Sequence, residues 1–240
     1  MIIIPARLDS TRLPGKALIE IRGLPLVIGV AKQVEHLGEL CIATDSIEVK
    51  EIAKKFEIDC LLTSPHHRNG TERVAEATRL LKLPDDETII NLQADEFNLD
   101  PLLITNIIDY IAHHPQGLDQ ETLLVSACQP LPPEGLKDPS KVKVVLNHYD
   151  KALYFSRSVV PHGEYHCWEH LGVYGFTAKS LSQFCALPRS PLEVIENLEQ
   201  LRALYYGYNI KMIKTDGKSF SINTTQDLIE VERGQKDGIY

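Results

Sequence analysis

Met1-Ile2-Ile3-Ile4-Pro5-Ala6-Arg7-Leu8-Asp9-Ser10-Thr11-Arg12-Leu13-Pro14-Gly15-Lys16 opens the chain. Three consecutive isoleucines read as a buried strand, because β-branched side chains fit a pleat covered on both faces. Pro5 is expected to end the ladder, having no N–H to give it. The loop beyond gathers Arg7, Arg12 and Lys16 around Ser10, Thr11 and Gly15. Fixed cations, hydroxyl donors and accessible backbone N–H groups beside a strand end are what a polyphosphate needs. The spacing is not G-x-x-x-x-G-K-[ST], so this is no Walker A loop. It is not G-x-G-x-x-G either, which argues against a dinucleotide fold of that type. On spacing alone, the same residues also suit an ordinary basic surface loop.

The chain has 240 residues, 43% of them hydrophobic and 24% charged, enough for a substantial core in an ordinary globular protein. A net charge of −8 leaves no basic excess with which to neutralise a nucleic acid or an anionic membrane. The basic opening loop is thus a local feature of an acidic protein, which suits a small phosphorylated ligand. No stretch approaches the about 20 apolar residues of a membrane span. The short N-terminal apolar run is not expected to be a signal peptide. The five cysteines, Cys41, Cys60, Cys128, Cys167 and Cys185, are scattered and form no C-x-x-C pair. Reduced thiols in a cytoplasm are the expectation.

Strand and helix patterns alternate through the first half. Apolar residues at helical spacing predict helices over Leu26 to Leu37, Ile47 to Phe56, Thr71 to Leu81 and Leu102 to Ala112. Asn69 or Thr71 can cap the third, and Pro101 suits the first turn of the fourth. Between them, Leu40 to Ala43, Cys60 to Thr63 and Thr88 to Leu92 read as strands. A β-α-β succession predicts an α/β fold with a mostly parallel sheet covered by helices. Leu123 to Pro130, Val142 to Leu146, Ala152 to Ser156 and Gly172 to Phe176 read as strands with little helix between them. This strand-rich stretch, about 123–176, is expected to be antiparallel or mixed. Pro191 to Tyr205 reads as one long helix. Ile210 to Ile213 and Phe220 to Ile222 read as closing strands, before a last helix capped by Thr224 or Thr225. With no repeat or linker, 1–240 is expected to be a single domain.

The opening I-P-A-R-x-x-S-T-R-L-P-G-K resembles that of the sugar-activating cytidylyltransferases, and the likeness continues in order along nearly the whole chain. Ala43-Thr44-Asp45 follows the second strand. Asn69-Gly70-Thr71-Glu72-Arg73 resembles S-G-T-E-R, and Asn91-Leu92-Gln93-Ala94-Asp95-Glu96 resembles N-x-Q-G-D-E. Ala152 to Arg157, His170 to Gly175, and Ser190 to Glu193 with Leu198 to Arg202 complete the set. The resemblance implies a nucleotidyltransferase-type, Rossmann-like domain. Its strand-rich insertion would serve sugar binding and dimer contacts. The substrates implied are CTP and an eight-carbon sugar acid, 3-deoxy-D-manno-octulosonate (Kdo), with Mg2+ as cofactor and a homodimer as the assembly. His170-Leu-Gly-Val-Tyr-Gly175 and Ser190-Pro-Leu-Glu193 favour Kdo over an amino analogue or a sialic-acid-like sugar.

Nucleotidyl transfer places a sugar hydroxyl in line with the α-phosphate, and pyrophosphate leaves. Charge builds on phosphate oxygens, so positioning and electrostatic stabilisation carry the rate. Lys16, Arg12 and Arg7, with Ser10, are the natural clamps for the triphosphate. Arg73 is a further candidate, unless it is a solvated helix arginine. Asp95, just past a strand end, is the first metal-ligand candidate, because magnesium prefers one or two carboxylates with phosphate oxygens. Lys16, Arg12 and Asp95 thus form the expected catalytic set. Gln93 can hydrogen-bond base or sugar at the same edge. Arg157 offers a planar fork for a sugar carboxylate. His170 and Tyr174, four apart, project to one face of a strand. By resemblance Arg157, His170, Tyr174, Glu199 and Gln200 line the sugar site. Tyr174 also suits a core aromatic, and Glu199 an arm of a helix ion pair with Arg202.

Three positions depart from the family pattern. Ala94 stands at a usual glycine and Phe97 at a usual proline. Asn223, in Ser221-Ile-Asn-Thr-Thr-Gln-Asp227, stands where the family has its second metal-binding aspartate. An amide oxygen can coordinate magnesium but brings no charge. The departure at 223 leaves open a catalytically degraded nucleotide-binding protein. His162, His166, Cys167 and His170 lie within nine residues, but no second ligand cluster completes a zinc site.

Overall fold

A computed structural model describes residues 1–8, 13–113, 121–163, 167–216, 219–222 and 225–236. Ser10, Arg12, Asn223, His166 and Thr224 lie outside them. The chain opens with β1 (Ile2–Ala6), a small hairpin of β2 (Glu20–Ile21) and β3 (Leu24–Pro25), and α1 (Leu26–Val34). Next come β4 (Leu40–Thr44), α2 (Ile47–Lys55), β5 (Cys60–Leu62), α3 (Gly70–Leu80), β6 (Thr88–Leu92), β7 (Glu96–Phe97) and α4 (Pro101–Ala112). The strand-rich stretch holds β8 (Thr122–Leu131), β9 (Lys143–Leu146), β10 (Ala152–Ser156) and β11 (Cys167–Thr177). After it come α5 (Ala178–Ala186), α6 (Pro191–Glu196), α7 (Leu201–Tyr205), β12 (Asn209–Lys214), β13 (Phe220–Ser221) and α8 (Thr225–Lys236).

Among the described residues, nine strands form one mixed sheet, in the order β10-β9-β11-β6-β1-β4-β5, with β8 branching from β11 and β12 pairing with β8. The β6-β1-β4-β5 part is parallel. The long strand β11 joins it antiparallel to β6 and also pairs antiparallel with β8 and β9. The strand-rich stretch is therefore continuous with the parallel strands. Pro5 does not end β1. Pairing with β6 stops at Ile3, whereas pairing with β4 runs on through Ala6, so the proline sits where the ladder has become one-sided.

Side chains alternate between two apolar layers, as a period of two requires. Ile2 and Ile4 face a layer with α1 and α4, and Ile3 faces one with α3, α5 and α7. In β6 likewise, Ile90 and Leu92 face the first layer and Ile89 the second. Helices therefore cover both faces, as the isoleucine run predicts. Asn69, rather than Thr71, caps α3, its Oδ1 accepting from the Glu72 N–H at 2.9 Å. Asp100 caps α4, with Pro101 at the first helical position. The expected long helix from Pro191 is two helices. Asn197 breaks it in the left-handed region at φ 53°. No helix among the described residues is long and apolar enough to cross a membrane.

Candidate active site

The parallel strands β1, β4, β5 and β6 end at one edge of the sheet, where open α/β folds bind ligands. The loops leaving them surround a cavity of about 390 Å³. A larger one of about 820 Å³ lies on the β11 side and shares Gln93, Asp95, Arg157, Tyr174 and Gln200 in its wall. The two compartments therefore adjoin, with Asp95 at their boundary.

Cations dominate the first compartment: Arg7, Lys16, Arg68, Arg73 and Arg189 line it. Gly15 turns the opening loop at φ 67°, a left-handed conformation that suits glycine, and its N–H returns to the Leu8 carbonyl at 3.1 Å. That turn delivers Lys16, whose Nζ donates to Asp95 Oδ2 at 2.5 Å. The N-terminus of α3 also borders the space through Asn69 and Gly70, adding backbone N–H groups and a positive helix end. An anion of several charges is the ligand such a lining fits.

Arg73 is not a solvated helix residue. It is 3% exposed, donating to Thr63 Oγ1 at 2.6 Å and to Asp45 Oδ2 at 2.6 Å. It ties the ends of β4 and β5 together beneath the cavity. Beside it, Gln93 donates to Asn91 Oδ1 at 3.2 Å, and Asn91 donates to Thr71 Oγ1 at 2.8 Å. Thr71 completes the chain by donating to Glu199 Oε1 at 2.7 Å. The other Glu199 oxygen is buried without a partner, and burial lifts this carboxyl to about 7. Arg202, the partner in the alternative ion-pair reading of Glu199, instead makes a two-pronged bond to Glu193 at 2.6 and 2.8 Å.

The second compartment holds a directional hydrogen-bond chain. Ser126 Oγ donates to the Val173 carbonyl at 2.8 Å, which uses its only proton. His170 Nε2, 2.9 Å from Ser126 Oγ, must then be the donor of that contact. The opposite nitrogen, Nδ1, accepts from Gln200 Nε2 at 3.4 Å. Gln200 Oε1 accepts in turn from the Tyr174 hydroxyl at 3.3 Å. The chain needs a neutral imidazole, and burial pushes His170 down to about 3. With both ring nitrogens engaged, His170 is not arranged as a zinc ligand. Arg157 donates to the carbonyls of Glu196, Asn197 and Pro139 at 3.0, 3.3 and 2.9 Å.

Asp95 and Glu96 play different parts. Asp95 borders both cavities, whereas Glu96 is 4% exposed and accepts from Gly172 N–H and Ser221 Oγ, each at 2.7 Å. A Cβ on Gly172 would lie 2.5 Å from Glu96 Oε1, so glycine permits this approach. Burial, with Asp95 beside it, raises Glu96 to about 7. Glu96 therefore pins β13 against β7, and the Ile222 N–H reaches the Asp95 carbonyl at 2.9 Å.

Of the expected site residues, Arg7, Lys16, Arg73, Gln93, Asp95, Arg157, Tyr174, Glu199 and Gln200 line the first cavity, and His170 joins at the second. Several lining residues carry no motif of their own. His67 lines the first cavity while bonded to Glu76 at 2.5 Å, a pairing across nine positions that helical spacing alone does not reveal. Arg68 and Arg189 were equally hidden in sequence. Among the described residues, no group of three or more histidine, cysteine, aspartate or glutamate side chains is placed to hold a metal.

A family model for cytidylyltransferases matches residues 1–213. The chain is 47% identical to the 3-deoxy-manno-octulosonate cytidylyltransferase of a Nitratiruptor species, over 96% of this chain and 98% of that protein. It is 38% identical to the 8-amino-3,8-dideoxy-manno-octulosonate cytidylyltransferase of Shewanella baltica, over 97% and 96%. Among solved structures, CMP:2-keto-3-deoxy-manno-octonic acid synthetase complexed with CTP superposes with a TM-score of 0.86 at 31% identity, covering 99% of this chain and 98% of that one.

Proposed function

The chain belongs to the cytidylyltransferase family, and from that premise we propose that it transfers a cytidylyl group from CTP to Kdo, releasing pyrophosphate. The observation that carries this reading is the junction at Asp95 of a cation-lined compartment and a hydrogen-bonding one. CTP occupies the first compartment. Lys16 and Arg7, with Ser10 and Arg12, hold its phosphates and meet the charge that develops in the transition state. Kdo occupies the second, its hydroxyls facing Tyr174, Gln200 and His170 and its carboxylate the positive charge of Arg157. The identity of the Nitratiruptor relative and the CTP complex of the structural neighbour support both substrates.

The donor set fits magnesium. Asp95 offers hard carboxylate oxygen at the compartment boundary, and Asn223, outside the described residues, is next in sequence to Ile222, whose N–H bonds to the Asp95 carbonyl. These two residues would hold the ion with phosphate oxygens of CTP. Bound there, magnesium supplies charge neutralisation to the phosphates. The strand-rich stretch, about 123–176, serves sugar binding and dimer contacts. The enzyme works in the cytoplasm, where its five free cysteines stay reduced.

A second reading has one observation in its favour. Asp138, Glu169, Asp227 and Glu230 also line the larger compartment, and carboxylates suit an ammonium group on the sugar. The Shewanella relative bears an 8-amino sugar in its name. Competing the two sugars and a nine-carbon sialic acid in one pyrophosphate-release assay separates these readings. The highest kcat/KM is expected for Kdo. Preference for 8-amino-Kdo moves the substrate to the second reading, and CTP binding without pyrophosphate release from any of them overturns catalysis.

A further inference from the structure

Lys143 is 0% exposed, at the start of the otherwise apolar strand β9. Burying an ammonium group is costly unless its protons are all matched. Here they are. Its three donors meet three backbone carbonyls, Asp138 at 2.7 Å, Lys141 at 2.8 Å and Arg157 at 2.8 Å. The first two belong to the loop before β9, and the third to the residue that follows β10. No ladder bond could join these segments in this way, because the loop carbonyls turn inward to a single point.

Those segments form one wall of the larger compartment, where Asp138, Pro139, Ser140, Lys141 and Arg157 are exposed to the cavity. Arg157 repeats the connection from its other end. Its guanidinium reaches back to the Pro139 carbonyl at 2.9 Å and on to Glu196 and Asn197. Two cations therefore bolt the 138–141 loop, the end of β10 and the α6–α7 break into one unit. Lys143 fixes the backbone of Arg157, and Arg157 fixes the lip of the cavity. Of its three acceptors, those on Asp138 and Lys141 belong to residues that line the larger compartment alone, and the third belongs to Arg157, which borders both.

We propose that Lys143 is a positioning residue for the sugar acid, holding Arg157 and the 138–141 loop where the substrate carboxylate meets them. This rests on the reading that the larger compartment takes the sugar. A methionine at 143 keeps the length of the side chain and removes every donor. The three carbonyls would then be left buried without partners, and the wall would move to rehydrate them.

The test measures KM for Kdo and for CTP, kcat, the calorimetric dissociation constant of CTP alone, and the thermal melt, for the parent and for Lys143→Met. Expected for a folded Lys143→Met enzyme is a rise of about tenfold or more in the Kdo KM, with kcat and the CTP constants within about twofold. Lys143→Arg, which keeps charge and donors on a larger head, is expected to fall between the two. A merely structural role would lower the melt and raise both KM values together. That result, or an unchanged Kdo KM in folded Lys143→Met, overturns the proposal. Should Lys143→Met fail to fold, parental constants for both substrates in Lys143→Arg, or an equal rise in both, overturn it as well. A parent that turns over no sugar acid overturns the functional reading, and the proposal with it. A parent active on Kdo with no selective loss in the variants overturns the proposal alone.

Discussion

At the scale of single residues, the contact that says most is Lys16 with Asp95 at 2.5 Å. Each balances the other's charge until substrate arrives. In the proposed reaction the phosphates of CTP would compete for the lysine, and a cation for the carboxylate. Lys16→Ala is expected to lower kcat/KM by about 10²–10³-fold, the usual loss of one donor to developing charge. Circular dichroism should remain that of the parent, and near-normal turnover in a folded variant would remove Lys16 from the mechanism. Charge likewise ranks the two proposed metal ligands. Asp95→Asn should be far more damaging than Asn223→Ala, because only the first removes a charge. Asn223→Asp should lower the magnesium needed for half-maximal rate. Magnesium titrations of the three variants check this, and a shift of Asn223→Asp to higher magnesium would contradict it. Lys16, Asp95 and Gln93 were legible in sequence because they ride on ordered motifs. Lys143 and His67 were not, because their partners are backbone carbonyls or a glutamate on another element.

At the scale of elements, the isoleucine run was read correctly for a simple reason. Its β-branched residues carry apolar faces to both sides of the sheet, and the fold has a layer on each. The Pro191 to Tyr205 segment misled for an equally simple one. Val194, Leu198, Leu201 and Tyr205 keep helical spacing across a break that depends on one backbone angle, at Asn197. Asparagine is among the few residues that adopt the left-handed region readily, yet it is common within helices as well. The helix α5 carries a weak sequence signal, because its capping box uses Ser180 in place of Glu or Gln and it spans only nine residues. The break at Asn197 matters because its carbonyl receives Arg157. Asn197→Ala should cost about 1 kcal/mol of stability, and Asn197→Gly should cost less, since glycine carries no left-handed penalty. Urea denaturation checks the order. An alanine variant as stable as the parent would mean that the break is not set by residue 197.

At the scale of the whole molecule, several large apolar side chains face outward. Leu153, Val194 and Ile195 are 59%, 55% and 77% exposed. The strand β10 ends the sheet, and Ser156 Oγ joins it to α6 through Glu196 at 2.8 Å. A homodimer, the proposed assembly, would cover such side chains with a second copy of the chain, the commonest symmetric partner. Light scattering should give twice the 27.0 kDa chain mass, and Leu153→Lys with Ile195→Lys should shift it toward the monomer. A monomer mass for the parent at micromolar concentration would exclude the dimer. The central claim is cytidylyl transfer to the hydroxyl of Kdo, and phosphorus-31 NMR of the protein with CTP, magnesium and Kdo tests it most directly. The three CTP resonances should give way to pyrophosphate and one phosphodiester signal, that of CMP-Kdo. Unchanged CTP, or CDP with a sugar phosphate in place of the phosphodiester, would contradict it.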